Sequence, residues 1–236
     1  MKKNKLALFD LDDTLFDGDT EGEWVQYMNT NSLITDPEFF NKMEQFTVNY
    51  RQGQLDVDEY SKFLLSPLIG KSLKEIEGSI ETFSFDVVDR LTDDLTQELL
   101  NKHREDIKIL TSGSLSFLVD SIGKKLGIDT CFGTDPEYLN GSFTGGVKGN
   151  PNFSDEKVRR IKYWMESKKF DEIYAYSDSI HDLPLLEFSN FPCAISPDKK
   201  LREVAEDRKL QIIDAFFRAN LKQFMSGPQW PPLMKT

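Results

Sequence analysis

Four short, apolar-rich runs punctuate the chain: Leu6–Phe9, Ile107–Leu110, Ile173–Tyr176 and Leu210–Ile213. Runs of this length and character suit strands buried on both faces of a parallel sheet. Between them the apolar period lengthens to that of a helix. Leu115, Leu118, Val119, Ile122 and Leu126 share one helical face, as do Val158, Ile161 and Met165. Strands alternating with helices predict an α/β core, a parallel sheet covered on both sides. Residues 18–92 read differently. Phe39, Met43, Phe46 and Tyr50 form one helical stripe, and Tyr60, Phe63 and Leu64 another. Asp56-Val57-Asp58-Glu59 and Ser72-Leu73-Lys74-Glu75 read as capping-box helix starts. The spacing therefore predicts a discontinuous core, 1–17 and 93–236, interrupted by a helical cap over 18–92. Helices inserted near the C-terminal edge of a parallel sheet are placed to cover a ligand there. Asn140-Gly141, set between Tyr138-Leu139 and Ser142-Phe143-Thr144, predicts a hairpin. The tail from Phe216 to Thr236 carries Phe217, Leu221, Phe224, Met225 and Trp230. It suits a helix packed on its own domain or a dimer contact, so monomer and homodimer both stay open.

Composition narrows the partners. The chain has 236 residues, 39% of them hydrophobic and 29% charged, enough for one sizeable core and a smaller unit. Its formal net charge of −11 argues against nucleic-acid and anionic-membrane partners, which require a basic footprint. A phosphorylated substrate must then be attracted locally, against an unfavourable overall field. The two cysteines, Cys131 and Cys193, form neither a disulfide framework nor a metal motif, and two histidines are too few for a His-rich metal centre. The apolar run after Lys2, Lys3 and Lys5 is too short for a secretory segment, and no stretch has membrane-spanning length. These features suggest a cytoplasmic protein.

The candidate chemistry sits at the strand ends. Phe9-Asp10-Leu11-Asp12-Asp13-Thr14-Leu15 follows the first run directly. Three acids emerging from a buried strand are costly unless something positive binds beside them. A second acidic group, Ser177-Asp178-Ser179-Ile180-His181-Asp182, follows the third run. Two strands delivering acids to one edge make an oxygen-rich cation site whose natural occupant is Mg²⁺. Thr111-Ser112-Gly113-Ser114 follows the second run, and Lys157 stands in the first turn of a helix. A Ser hydroxyl and backbone N–H groups at a helix start bind phosphate oxygens, and a lysine can neutralise both the phosphate and Asp10.

This ordered set resembles the haloacid dehalogenase (HAD) superfamily over nearly the whole chain. Asp10-x-Asp12-x-Thr14-Leu15 matches its first motif, Ser112 its second, Lys157 its third, and Asp178 to Asp182 its fourth. The helical insertion, Gly133-Thr134 and Asp182-Leu183-Pro184-Leu185-Leu186 look like the phosphoserine-phosphatase-like branch. The resemblance implies a Rossmann-like core and hydrolysis of a small-molecule phosphomonoester through an aspartyl-phosphate. It implies Asp10 as nucleophile, Asp12 as general acid and base, and Lys157 as charge neutraliser. Ser112 and Gly113 would bind phosphate. Mg²⁺ would be held by Asp10, the Asp12 backbone carbonyl and Asp178, with Asp182 in or near its shell. Asp19 falls where the branch places a Glu that meets a substrate amino group, and Glu21 and Glu23 follow it. Arg51, the one arginine before residue 90, is the candidate for a substrate carboxylate. His181 stands where the branch often has Asn, which leaves one substrate contact open.

Three other functions share parts of this pattern. A phosphomutase of the same superfamily would return the phosphoryl group to its product. A receiver-type signalling domain also phosphorylates an Asp beside Mg²⁺, but it is normally a single compact domain, and the helical insertion and Asp12 as general acid argue against it. A non-catalytic phosphometabolite-binding protein would have no need of every motif residue. Phosphoserine, histidinol phosphate and other amino-alcohol phosphates all suit a helical cap and an acidic wall.

Overall fold

A computed structural model describes residues 3–51 and 54–214. Strand β1 (Lys5–Phe9) leads into four helices: α1 (Thr20–Thr30), α2 (Phe39–Arg51), α3 (Val57–Leu65) and α4 (Leu73–Leu91). Helix α5 (Asp94–Lys102), strand β2 (Ile107–Leu115), helix α6 (Ser116–Leu126) and strand β3 (Thr130–Thr134) follow. A hairpin, β4 (Pro136–Leu139) and β5 (Ser142–Val147), precedes α7 (Asp155–Met165), β6 (Glu172–Ser177), α8 (Leu183–Phe188), β7 (Phe191–Ile195), α9 (Lys199–Asp207) and β8 (Gln211–Ile213).

The six main strands lie in the order β3-β2-β1-β6-β7-β8, and every pairing is parallel. All four apolar runs are strands of this sheet. Strands β3 and β7 add to the prediction. Thr130 and Gly133 interrupt the apolar pattern of one, and Pro192 that of the other, which hides them in the sequence. Alternation sends Leu6 and Leu8 to a face covered by α7, α8 and α9, and Ala7 and Phe9 to the opposite face. The hairpin turns at Asn140 and Gly141, both with positive φ (54° and 84°), as a two-residue turn of matching twist requires.

Helix starts follow the expected side chains. Ser72 and Glu75 form a complete capping box, while Asp56 accepts from the Glu59 N–H at 3.0 Å. The inserted segment leaves and rejoins the sheet at one place: the Asp17 N–H donates to the Leu91 carbonyl at 2.8 Å. Its apolar side chains do not make a core of their own. Trp24 meets Phe83 at 5.0 Å and Phe117 of α6 at 6.1 Å between ring centroids, so α1 and α4 share one apolar cluster with the sheet. Farther out, Phe63 packs on Phe39 at 4.3 Å and on Phe46 at 5.0 Å. The tail from Phe216 lies outside the described residues, as do the side chains of Tyr50 and Arg51. No helix among the described residues is long and apolar enough to cross a membrane.

Candidate active site

The site grows from the C-terminal ends of β1, β2 and β6. The Asp10 N–H donates to the Tyr176 carbonyl at 3.0 Å, which carries sheet pairing one residue past β1 and fixes Asp10 at the edge. The chain then reverses. Asp13 is left-handed at φ 54°, which a short polar side chain tolerates, and its N–H donates to the Gly18 carbonyl at 3.0 Å. This turn aims Asp12 across the edge. Its Oδ1 accepts from the Thr20 N–H at 2.7 Å, and its Oδ2 from the Ser112 and Ser114 hydroxyls at 3.0 and 3.2 Å.

Ser112 reaches Asp12 because β2 is irregular there. Pairing with β3 runs to Thr111 and resumes only at Leu115, so the residues between bulge toward the site. The helix after β2 starts at Ser116, four residues beyond Ser112, so the expected helix-start position of Ser112 is corrected to a strand bulge. The bulge is held from behind. The Asn152 amide donates to Thr111 Oγ1 (3.0 Å), the Ser112 carbonyl (2.9 Å) and the Phe132 carbonyl (3.0 Å), while Thr134 donates to the Gly113 carbonyl at 2.6 Å. Gly133 is required in this packing: a Cβ there would stand 2.6 Å from Ser116 Cα and 2.7 Å from the Ser114 carbonyl oxygen.

Lys157 lies buried at the start of α7, 3% exposed. Its ammonium donates to Asp10 Oδ1 at 2.8 Å and to Asp182 Oδ2 at 2.7 Å. Ser177 donates to the same Asp182 oxygen at 2.8 Å. The Thr14 hydroxyl lies 3.1 Å from Asp10 Oδ2 and 3.2 Å from Asp178 Oδ1, so a single side chain spans the two acidic groups. Asp198, which the sequence reading did not single out, fastens the second group. Its N–H donates to the Asp178 carbonyl (2.8 Å), and its carboxylate accepts from the Ile180 N–H (2.7 Å) while capping α9 through Leu201 (2.8 Å).

The electrostatics are lopsided. Burial pushes the Asp10 carboxyl well above the usual range. Lys157 opposes this, and Asp182, Asp178 and Asp12 add to it. Burial raises Asp12 too, against the hydrogen bonds it accepts from Thr20 and Ser112. Burial disfavours the Lys157 ammonium, but Asp10 and Asp182 outweigh that and hold it protonated. Eight carboxyl groups thus line the cavity, with the Lys157 ammonium between two of them, Asp10 and Asp182. Among the described residues, no three Asp, Glu, His or Cys side chains form a closed metal cage. Oxygen donors in excess, with two carboxylates bridged by one hydroxyl, fit a hard divalent cation that completes its shell with water and a phosphate oxygen.

These groups open into one cavity of about 260 Å³. It contains Asp10, Asp12, Asp19, Ser112, Gly113, Lys157, Asp178, His181 and Asp182, all singled out by sequence. His181 packs on Phe153 at 4.8 Å between centroids, and burial lowers its basicity. Asp19 is the N-cap of α1 and accepts from the Glu21 N–H at 3.0 Å; burial, with Asp12 and Asp13, pushes its carboxyl up to about 7. Glu21 also faces the cavity. Glu23 does not: it pairs with Arg90 at 2.6 Å. Phe46, Thr47, Leu55, Val57 and Tyr60 from the inserted segment form the outer wall. Their alternation within helical stripes reads as ordinary packing in the sequence.

A parallel sheet with acids at the ends of two neighbouring strands, and helices inserted after the first, defines an acidic site at the C-terminal edge of an α/β core. The family model of haloacid dehalogenase-like hydrolases matches residues 7–187. The chain belongs to that family. It is 29% identical over 217 residues to a histidinol-phosphatase of Neisseria meningitidis serogroup C, covering 89% of this chain and 98% of the relative. It is 28% identical over 205 residues to a phosphoserine phosphatase of Campylobacter jejuni subsp. doylei, covering 86% and 92%. A solved structure of a protein of unknown function from Bordetella pertussis Tohama I superposes with a TM-score of 0.82 at 31% identity, covering 91% of this chain and all of that one.

Proposed function

We propose that this chain hydrolyses small phosphate monoesters through an aspartyl-phosphate on Asp10, with Mg²⁺ bound between the acids that follow β1 and β6. The observation that carries the reading is the Lys157 ammonium held between Asp10 and Asp182, beside an Asp12 oriented by Ser112, Ser114 and Thr20. An Asp10 oxygen forms a bond to phosphorus as the ester P–O bond breaks. Asp12, whose carboxyl burial raises, gives its proton to the departing alkoxide. It then takes a proton from water, which attacks phosphorus, releases inorganic phosphate and restores Asp10. Ser112 and the Gly113 N–H receive phosphate oxygens, and Lys157 offsets their charge. Asp10, the Asp12 carbonyl and Asp178 would hold Mg²⁺, which when bound supplies further neutralisation of the phosphoryl oxygens. Asp182, bonded to both Lys157 and Ser177, positions the lysine. Helices α1–α4 act as the cap, excluding bulk water from a cavity sized for a metabolite. Phosphoserine and histidinol phosphate, named in the relatives, are amino-alcohol esters of suitable size.

Phosphate release from a panel of metabolite monoesters tests this. Release that needs Mg²⁺, stops with chelator and disappears in Asp10→Asn is expected. Release indifferent to chelator and to that substitution would overturn the mechanism.

A further inference from the structure

A second group of polar side chains is buried behind the sheet edge, and none of its members lines the cavity. His103 closes α5 and is 1% exposed. Its Nδ1 lies 2.8 Å from Asp106 Oδ2 and its Nε2 2.8 Å from the Tyr176 hydroxyl, which also accepts from the Lys102 ammonium at 2.9 Å. These protons have one arrangement that leaves every group paired. The Asp106 carboxylate accepts, so Nδ1 carries the imidazole proton. Lys102 can only donate, so the Tyr176 hydroxyl finds its acceptor in Nε2. A second proton on His103 reverses that bond: the Tyr176 oxygen then receives two donors, and its own buried proton loses its acceptor. Burial lowers the basicity of the imidazole; Asp106 opposes this, and Lys102 and Lys5 of β1 add to it. Lys108 of β2 donates to the His103 carbonyl at 3.3 Å, Tyr174 of β6 packs on the ring at 4.8 Å between centroids, and Cys193 of β7 lies in register with Tyr176.

Tyr176 ties this cluster to the catalytic edge. Its ring stacks on Phe9, the residue before Asp10, at 5.1 Å and 11°. Its carbonyl receives the Asp10 N–H at 3.0 Å, and Asp178 follows it by two residues. The place of the Tyr176 ring therefore bears on how Asp10 and Asp178 meet the Thr14 hydroxyl between them. We propose that His103 is a positioning residue: with its proton on Nδ1 it anchors the Tyr176 hydroxyl and so sets the separation of Asp10 and Asp178, and a second proton releases that hold. The inference rests on the phosphatase reading and adds to it a control on the metal-binding acids from outside the cavity.

The test uses the full chain. Nitrogen NMR of labelled protein reads the tautomer, and because the sequence holds two histidines, the signals lost in His103→Gln identify His103. A proton on Nδ1 and a bare Nε2 are expected near neutral pH. With saturating Mg²⁺ and an ester that the native protein turns over, His103→Leu and Tyr176→Phe should each lower kcat about 10- to 100-fold with KM little changed. The double variant should lose little more than either alone, since both act through one bond. His103→Gln, whose amide oxygen can accept from Tyr176 but takes up no proton, should keep most of kcat near neutral pH and lose less than the native protein as the pH falls to about 5. An Nε2–H donating to Tyr176 would overturn the inference. So would native kcat in folded Tyr176→Phe with only the melting temperature lowered, which would reduce the cluster to core packing. If the native protein releases no phosphate from any ester, the phosphatase reading is lost, and Mg²⁺ calorimetry decides the positioning role separately: weaker binding in Tyr176→Phe than in the native chain supports it, and equal or absent binding overturns it.

Discussion

Lys157 offers the sharpest test of the site, because surface and buried lysines predict different outcomes. A solvated lysine in the first turn of a helix is worth no more than about 0.5 kcal/mol. Here the ammonium is buried between two carboxylates. Lys157→Met keeps the bulk and removes the charge, and breaking a buried pair typically costs about 3–5 kcal/mol. The cost has a ceiling, since Asp10 can escape by taking up a proton. Relative to an ordinary Asp pKa of ~3.9, protonation costs about 4 kcal/mol at pH 7 but only about 1.5 kcal/mol at pH 5. The sign follows from the direction of the shift. Burial and the neighbouring acids already raise Asp10 in the folded state, and losing Lys157 raises it further. The penalty is therefore absent below the unfolded pKa and grows as pH climbs toward the folded one. Urea unfolding of chelator-treated protein at both pH values would measure it. We expect a destabilisation of roughly 4 kcal/mol at pH 7 that shrinks at least twofold at pH 5. Phosphate release should fall by about 10²-fold or more under conditions where the variant is folded. A loss below about 1 kcal/mol at both pH values would refute the buried clamp.

Three further outcomes follow from the same geometry. Asp10→Asn should abolish turnover, because an amide cannot form the acyl phosphate; near-native phosphate release would exclude Asp10 as nucleophile. Asp12→Asn should slow release of an alkyl ester about 10²–10⁴-fold, and with an aryl ester of good leaving group it should accumulate phosphorylated protein visible by intact-mass measurement. Asp198→Ala should cost about 1–2 kcal/mol through the lost α9 cap and the freed Ile180 N–H, and should weaken Mg²⁺ binding through the Asp178 loop; calorimetric titration with unchanged Mg²⁺ affinity would limit Asp198 to the helix.

The sheet was legible where strands are uniformly apolar. Leu6–Phe9 and Ile173–Tyr176 sit at its centre, and burial on both faces writes them as continuous runs. β3 and β7 lie toward the margins and carry Gly133 and Pro192, residues chosen for close approach and chain direction, so propensity misses them. The acids were legible because Asp-x-Asp at a strand end has few structural uses. Their supports were not. Ser114, Asn152 and Asp198 act through hydrogen bonds to groups distant in sequence, and in sequence each reads as loop or cap. That Asp19 both caps α1 and lines the cavity beside Glu21 was equally hidden, because only the path of the turn sets the two carboxylates. The inserted segment was legible as helices but not in its attachment, since Trp24 and Phe117 are distant in sequence.

The placement of β1 bears on how the protein is made. Synthesis releases this strand first, yet both of its sheet neighbours, β2 and β6, arrive only after the four inserted helices. Asp12 waits 100 positions for Ser112, and Asp10 waits 147 for Lys157. On the ribosome, α2 and α3 can meet through Phe39, Phe46 and Phe63 while β1 has no strand to pair with. The chain thus passes through a long interval in which its most apolar strand is exposed and its acids lack their cation. High contact order of this kind slows folding and lengthens the exposure of unpaired strand edges. Until Lys157 emerges, the charges of Asp10, Asp12 and Asp13 also oppose burial of the end of β1, and so delay its closure into the wrong sheet.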